Sequence, residues 1–139
     1  MAVKRYLVDK SAWARLHLPA VRDRLMPLLE RGVLATCVIV DLEVLYSARN
    51  AEDHSRVRSA RRGFEWLPMT DEIGDRAIEV QGLLAQSGEH RRTSIADLLI
   101  AATAERHSVV VLHYDADYDG IAKVTGQPME WVVEQGSVP

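Results

Sequence analysis

The stretch Thr93 to Ala104, T-S-I-A-D-L-L-I-A-A-T-A, constrains this chain more than any other. Wound into a helix it shows no continuous polar stripe, so the rest of the protein must cover it on nearly every side. It predicts a central, buried helix. Thr93 or Ser94 is placed to accept backbone N–H bonds as the N-cap, which puts Asp97, its one ionisable residue, in the first turn. The positive end of a helix favours a carboxylate there. An isolated Asp in a first turn merely complements the helix dipole, so the weight of Asp97 depends on which other acids reach it.

Two more acids stand at predicted strand ends. Tyr6-Leu7-Val8 is a short β-prone run closed by Asp9, and Val109-Val110-Val111-Leu112 runs into His113-Tyr114-Asp115-Ala116-Asp117. Between them, Ser11 is placed to cap a helix from Ala12 to Leu16, and Pro19 opens a second helix, closed by Gly32, that Pro27 should kink or shorten. Val33-Leu34-Ala35 reads as a strand, with Thr36 as cap of a helix reaching Arg49. In that helix Ile39, Leu42 and Tyr46 flank Glu43 at helical spacing, so Glu43 should face the apolar side and Asp41 the opposite one. Ala51 to Gly63 is an Arg-rich helical stretch, and Phe64 to Leu67, stopped by Pro68, is a short edge strand. Thr70 to Gly88 is an amphipathic helix, Tyr118 to Val124 a short one ending at Gly126, and Glu130 to Val133 a last strand.

Strands alternating with helices predict one α/β domain over residues 1–139 with a mostly parallel sheet. Ligands of such sheets bind beyond the strands' carboxyl ends where the strand order reverses. If the first and fourth strands are neighbours there, Asp9 and Asp115 meet, the central helix brings Asp97 alongside, and the helix carrying Glu43 closes the other side. No apolar run approaches the roughly 20 residues of a membrane span, and Asp9 and Lys10 interrupt any signal-peptide core, so a cytoplasmic protein is expected. The single Cys37 has no internal disulfide partner and reads as a small buried side chain.

Seventeen basic against twenty acidic residues give a net charge of −3, which does not announce a nucleic-acid binder. The distribution is more telling, because Arg49, Arg56, Arg58, Arg61 and Arg62 follow one another along a single segment as a phosphate track. Four carboxylates gathered at one site cannot all ionise without a counter-charge. A divalent cation supplies it, and an oxygen-only donor set selects Mg²⁺ or Mn²⁺ over zinc. The histidines show no paired ligand spacing, and His113 reads as a structural or surface residue. Such an ion polarises phosphoryl oxygens and lowers the pKa of bound water, which fits phosphodiester hydrolysis.

The blocks V-D-K-S-A-W, L-E-V-L-Y, S-I-A-D-L-L-I-A-A-T-A and V-L-H-Y-D-A-D-Y-D-G-I-A resemble the acidic blocks of PIN-domain ribonucleases, most of all the VapC-type toxins of bacterial toxin–antitoxin pairs. The likeness runs from about Tyr6 to Val133 in the family's order. It implies a three-layer fold with a five-stranded sheet in order 3-2-1-4-5 flanked by helices. It further implies catalytic roles for Asp9, Glu43, Asp97 and Asp115, with Asp9, Asp97, Asp115 and Asp117 as metal ligands and Ser11 hydrogen-bonding near the site. Lys10 replaces a frequent Thr, and Asp119 adds an acid the pattern does not require. The implied activity is metal-dependent endoribonucleolytic cleavage of structured RNA such as tRNA, by a homodimer that a cognate antitoxin neutralises. A receiver domain would need a Lys after a late strand, and a haloacid-dehalogenase phosphatase an Asp at position 11, where this chain has serine. The remaining alternative is a catalytically silent PIN-like module that only binds partners.

Overall fold

A computed structural model describes residues 3–139. Its frame is one five-stranded sheet in order β3-β2-β1-β4-β5, built from β1 (Tyr6–Val8), β2 (Leu34–Thr36), β3 (Glu65–Trp66), β4 (Val110–His113) and β5 (Met129–Trp131). Every pairing is parallel. Tyr6 lies opposite Leu34 on one side and Val110 on the other, so β1 is the centre and the strand order reverses between it and β4. This is the order the resemblance implied.

Alternation along β1 builds two cores, because successive side chains of a strand leave opposite faces. Leu7 packs with Ala35 and Val111 against Leu67, Ile73, Leu84, Ile100 and Ile121. Tyr6 and Val8 pack on the other face with Leu34, Val110, Leu112, Ala12, Val21 and Leu25. The first core is roofed by α5 (Asp71–Ala85), α6 (Ile95–Arg106) and α7 (Asp117–Thr125), and the second by α1 (Lys10–Trp13) and α2 (Pro19–Glu30). The remaining helices are α3 (Val38–Tyr46) and α4 (Ala51–Ala60), the latter continued by a 3₁₀ turn at Arg61–Gly63.

α6 is the central helix. Ser94 caps it, its Oγ accepting the Asp97 N–H at 3.0 Å. Asp97, Leu98 and Ile100 to Ala104 are buried, but Ile95 is 72% exposed, so the first turn is covered less completely than the sequence led us to expect. Three local expectations are corrected. Asp9, not Ser11, caps the first helix, its carboxylate accepting the Ser11 N–H, and that helix stops at Trp13. Pro27 neither ends nor shortens α2, which runs on to Glu30. Pro27 and Asp23 are both exposed, so the carbonyl freed by the missing N–H faces water. Cys37 rather than Thr36 precedes α3, and Thr36 is the last residue of β2. No helix among the described residues is long and apolar enough to cross a membrane.

Candidate active site

Because β1 and β4 are neighbours, the chain leaves both at the same edge of the sheet, and Asp9 N–H donates to Leu112 O at 2.9 Å. Asp9 is buried, and its two oxygens accept three hydrogen bonds. Ser11 N–H and Ser11 Oγ donate to Oδ2 at 3.0 and 2.6 Å, and the Tyr118 hydroxyl donates to Oδ1 at 2.7 Å. Ser11 Oγ in turn accepts the Tyr114 N–H at 2.8 Å, tying the loop after β1 to the exit of β4.

Beyond β4 the acids are ordered by their own backbone. His113 is fully buried between the rings of Tyr118 and Trp131, at centroid distances of 4.9 and 5.0 Å. Burial holds it below the usual imidazole range, so it is neutral, and its Nδ1 accepts the Asp115 N–H at 3.1 Å. Asp115 Oδ1 accepts the Asp117 N–H at 2.9 Å. From the helical side, the first turn of α6 brings in Asp97. Asp97, Asp115 and Asp117 each offer a carboxylate oxygen within 4.8 Å of the other two.

These three line an open cavity of about 340 Å³ with Asp9, Ser11 and Glu43, and Lys10 and Arg15 stand among its walls. Burial pushes the Asp97 carboxyl up, the charges of Asp9 and Asp115 push it further, and a hydrogen bond from Tyr118 only partly offsets them, so it titrates at about 7. Burial and then Asp115 raise Asp117. Glu43, half-buried across the cavity on α3, is raised by burial and by Asp9, with Lys10 pulling it back. Burial, Asp9 and Asp97 also raise the Tyr118 hydroxyl, which is thus a neutral donor. A set of oxygen donors that repel one another this strongly fits a hard divalent cation.

The structure therefore brings all the acids read from the sequence to one cavity, but sorts them. Asp117 stands in the converging trio. Asp9, whose oxygens Ser11 and Tyr118 already occupy, does not. Asp119 is outside, exposed and bonded to the Trp131 indole N–H at 3.2 Å.

On α3 the expectation for Asp41 is overturned. Asp41 points inward, where its Oδ1 accepts from Arg61 Nε at 2.8 Å and from the Thr36 hydroxyl at 2.7 Å, whereas Leu42 and Tyr46 are exposed. Arg61 is 3% exposed, and its Nη2 donates to Thr36 Oγ at 3.1 Å. It is thus removed from the phosphate track, because a guanidinium sealed in this way cannot reach RNA. Arg49 and Arg56 are exposed but bonded to Asp53. Arg58 and Arg62 are exposed without an ion-pair partner among the described residues.

Tyr118 is the site residue that sequence reasoning missed. Its signal was available: Tyr118 and Ile121 stand three apart on the buried face of α7, and a buried phenol needs a hydrogen-bond partner.

The sequence matches the PIN domain family model over residues 6–124. It is 52% identical over 134 residues to Ribonuclease VapC21 of Mycobacterium tuberculosis, covering 96% of this chain and 97% of that protein. Ribonuclease VapC51 of the same species is 49% identical over 138 residues and covers 99% of each chain. Among solved structures, the DNA-bound VapBC of Salmonella typhimurium superposes with a TM-score of 0.75 at 15% identity, covering 94% of this chain and all of that one. VapBC-1 of nontypeable Haemophilus influenzae gives 0.75 at 18%, covering 93% and 98%. A sheet in this order, an acid-lined cavity at its switch point and relatives half identical over nearly their whole length establish that the chain belongs to the PIN-domain family, among the VapC ribonucleases.

Proposed function

We propose that this protein is a divalent-metal-dependent endoribonuclease that acts as the toxin of a toxin–antitoxin pair. The observation that carries the chemistry is the convergence of Asp97, Asp115 and Asp117 in an open cavity, with no Lys or Arg ion-paired to them among the described residues. These three would hold Mg²⁺ or Mn²⁺, which when bound supplies the missing counter-charge and polarises a phosphoryl oxygen. Ser11 and Tyr118 fix the Asp9 carboxylate at the cavity wall. Glu43, whose carboxyl burial and Asp9 raise above the ordinary range, lines the same cavity as the trio and is suited to take a proton from water attacking phosphorus. The P–O3′ bond then breaks as the water oxygen adds, and the departing O3′ takes a proton from solvent, leaving a 5′-phosphate and a 3′-hydroxyl without a covalent enzyme intermediate.

The names of the mycobacterial relatives support the ribonuclease reading. A toxin–antitoxin complex from Klebsiella pneumoniae shares this fold and motivates the search for an antitoxin partner. A homodimer fits the exposed Ile78 and Ile95, which border a groove of about 400 Å³ between α5 and α6.

In the deciding experiment the purified protein is incubated with structured RNA, including tRNA, in Mg²⁺ and in chelator. Cleavage should need the ion, yield 5′-phosphate ends and fall by about 10²–10³-fold in Asp115→Asn. Cleavage persisting in chelator, or 2′,3′-cyclic phosphate ends, refutes the mechanism. Absent cleavage with retained partner binding would leave a silent binding module.

A further inference from the structure

We infer that the pocket between the end of α4 and β3 is a subsite for single-stranded RNA, taking a backbone phosphate between Arg58 and Arg62 and a base against Trp66. The inference rests on the ribonuclease reading and extends it to how substrate is held away from the acids. The pocket is a cavity of about 160 Å³ lined by Asp41, Arg58, Arg61, Arg62, Phe64 and Trp66.

Charge selects its ligand. Asp41, the one acid in the wall, is bonded to Arg61, so the two together contribute no net charge. Arg58 and Arg62 remain, both exposed and both without an ion pair among the described residues, and they leave the mouth with two uncompensated positive charges. Guanidinium forks match phosphate oxygens in geometry as well as in charge. The floor is prepared, since the Arg61 guanidinium is buried 4.9 Å from the Phe64 ring centroid and 5.7 Å from that of Trp13. Its Nη1 lacks a hydrogen-bond partner. Trp66 stands beside the two cations, 49% exposed at the end of an edge strand. An exposed indole next to free guanidiniums is the stacking-plus-phosphate combination that single-stranded RNA uses without sequence preference.

Position agrees. Trp66 pairs with Thr36, the last residue of β2, and β2 adjoins β1, whose end is followed by Asp9. The pocket therefore opens at the same edge of the sheet as the acids, two strand spacings or about 10 Å along it. An RNA strand with its scissile phosphate at the acids crosses that distance within a few nucleotides.

The test uses the full chain and a mixed-sequence single-stranded RNA dodecamer. In chelator, the RNA should quench tryptophan fluorescence in wild type and not in Trp66→Phe. Trp66→Ala should weaken binding by about tenfold with an unchanged salt slope. Arg58→Gln with Arg62→Gln should weaken it and flatten the slope of log affinity against log salt by about one. In Mg²⁺ all three variants should raise KM and leave kcat unchanged. Quenching that survives Trp66→Phe, or a salt slope untouched by the double substitution, overturns the subsite. So does loss of antitoxin binding with RNA affinity intact, which would make the pocket a protein-docking surface. A wild type that binds RNA through Trp66 but cuts none refutes the nuclease reading alone. Pocket variants that bind like wild type while Asp115→Asn slows cutting as expected refute the subsite alone.

Discussion

Asp41 and Asp97 are buried to nearly the same degree, 5% and 6% exposed, yet their surroundings are opposite. Asp41 has Arg61 and the Thr36 hydroxyl on its oxygen. Asp97 has Asp9 and Asp115 for neighbours, and a tyrosine hydroxyl is the main relief it finds. The first acid is satisfied within the fold and contributes to holding β2, α3 and the turn after α4 together. The second is left in need of a charge the protein does not provide. A buried carboxylate marks a functional site here only when its counter-charge is missing, and that distinction separates two acids otherwise similar in residue type, burial and nearness to the sheet edge.

The contrast breaks most visibly at Arg61. Arg61→Leu strands Asp41 in the interior without a partner, and urea denaturation should show a loss of about 3–5 kcal/mol. Combining it with Asp41→Leu removes both charges and should recover most of that loss. A single substitution costing less than about 1 kcal/mol would mean that Asp41 is not held by the pair.

At Asp97 the sign reverses. Its folded pKa of about 7 lies above the ordinary value of 3.8, so without metal the folded state binds the proton more tightly than the unfolded chain. Its contribution to stability is complete below about pH 4 and is lost as pH rises through 7. Asp97→Asn lacks that titration. In chelator at pH 8 it should melt several degrees above wild type, corresponding to about 2–4 kcal/mol, with the gain fading toward pH 4. Mg²⁺ should stabilise the variant less than wild type, and cleavage should disappear. Melting curves that ignore both pH and metal would return Asp97 to a helix-dipole role.

The smallest effect is expected at Tyr118. Tyr118→Phe deletes the hydroxyl that donates to Asp9 and relieves Asp97, at a cost of about 1–2 kcal/mol. Because the Tyr118 hydroxyl lowers the Asp97 pKa, its loss should move the Asp97 titration, followed by carboxyl NMR in chelator, to a pH above the wild-type midpoint. An unmoved midpoint would show that the hydroxyl serves Asp9 alone.

The α/β class and the acids at the strand ends and on the central helix were legible because each depends on a strong local pattern: short apolar runs ending in Asp, and a helix apolar enough to require burial. The strand order was implied by the family resemblance. α3 was not legible. Val38-Ile39-Val40 with Leu42 and Val44-Leu45 is apolar on every side, so periodicity could not say which face is inward, and the face chosen contained Leu42 and Tyr46, which are exposed. Asp41 was consequently placed outward and Arg61 counted in the phosphate track, since nothing local joins two residues 20 positions apart. At Tyr118 the local spacing marked a buried phenol but not its partner, which lies 109 residues away.

That last separation has a consequence for how the protein comes into being. β1 is synthesised before β4, yet β4 is one of its two sheet neighbours, and Asp9 is held by the hydroxyl of Tyr118, 109 positions further along. A nascent chain that stops short of residue 110 has its central strand open along one edge, and neither Asp115 nor the Tyr118 clasp is present. The acids at the switch point can become a site only after Asp115 and Tyr118 have been added. Synthesis order therefore acts as a timer: Asp9 is made early, directly after the first strand, and is held in its final position only when β4 and α7 fold against it.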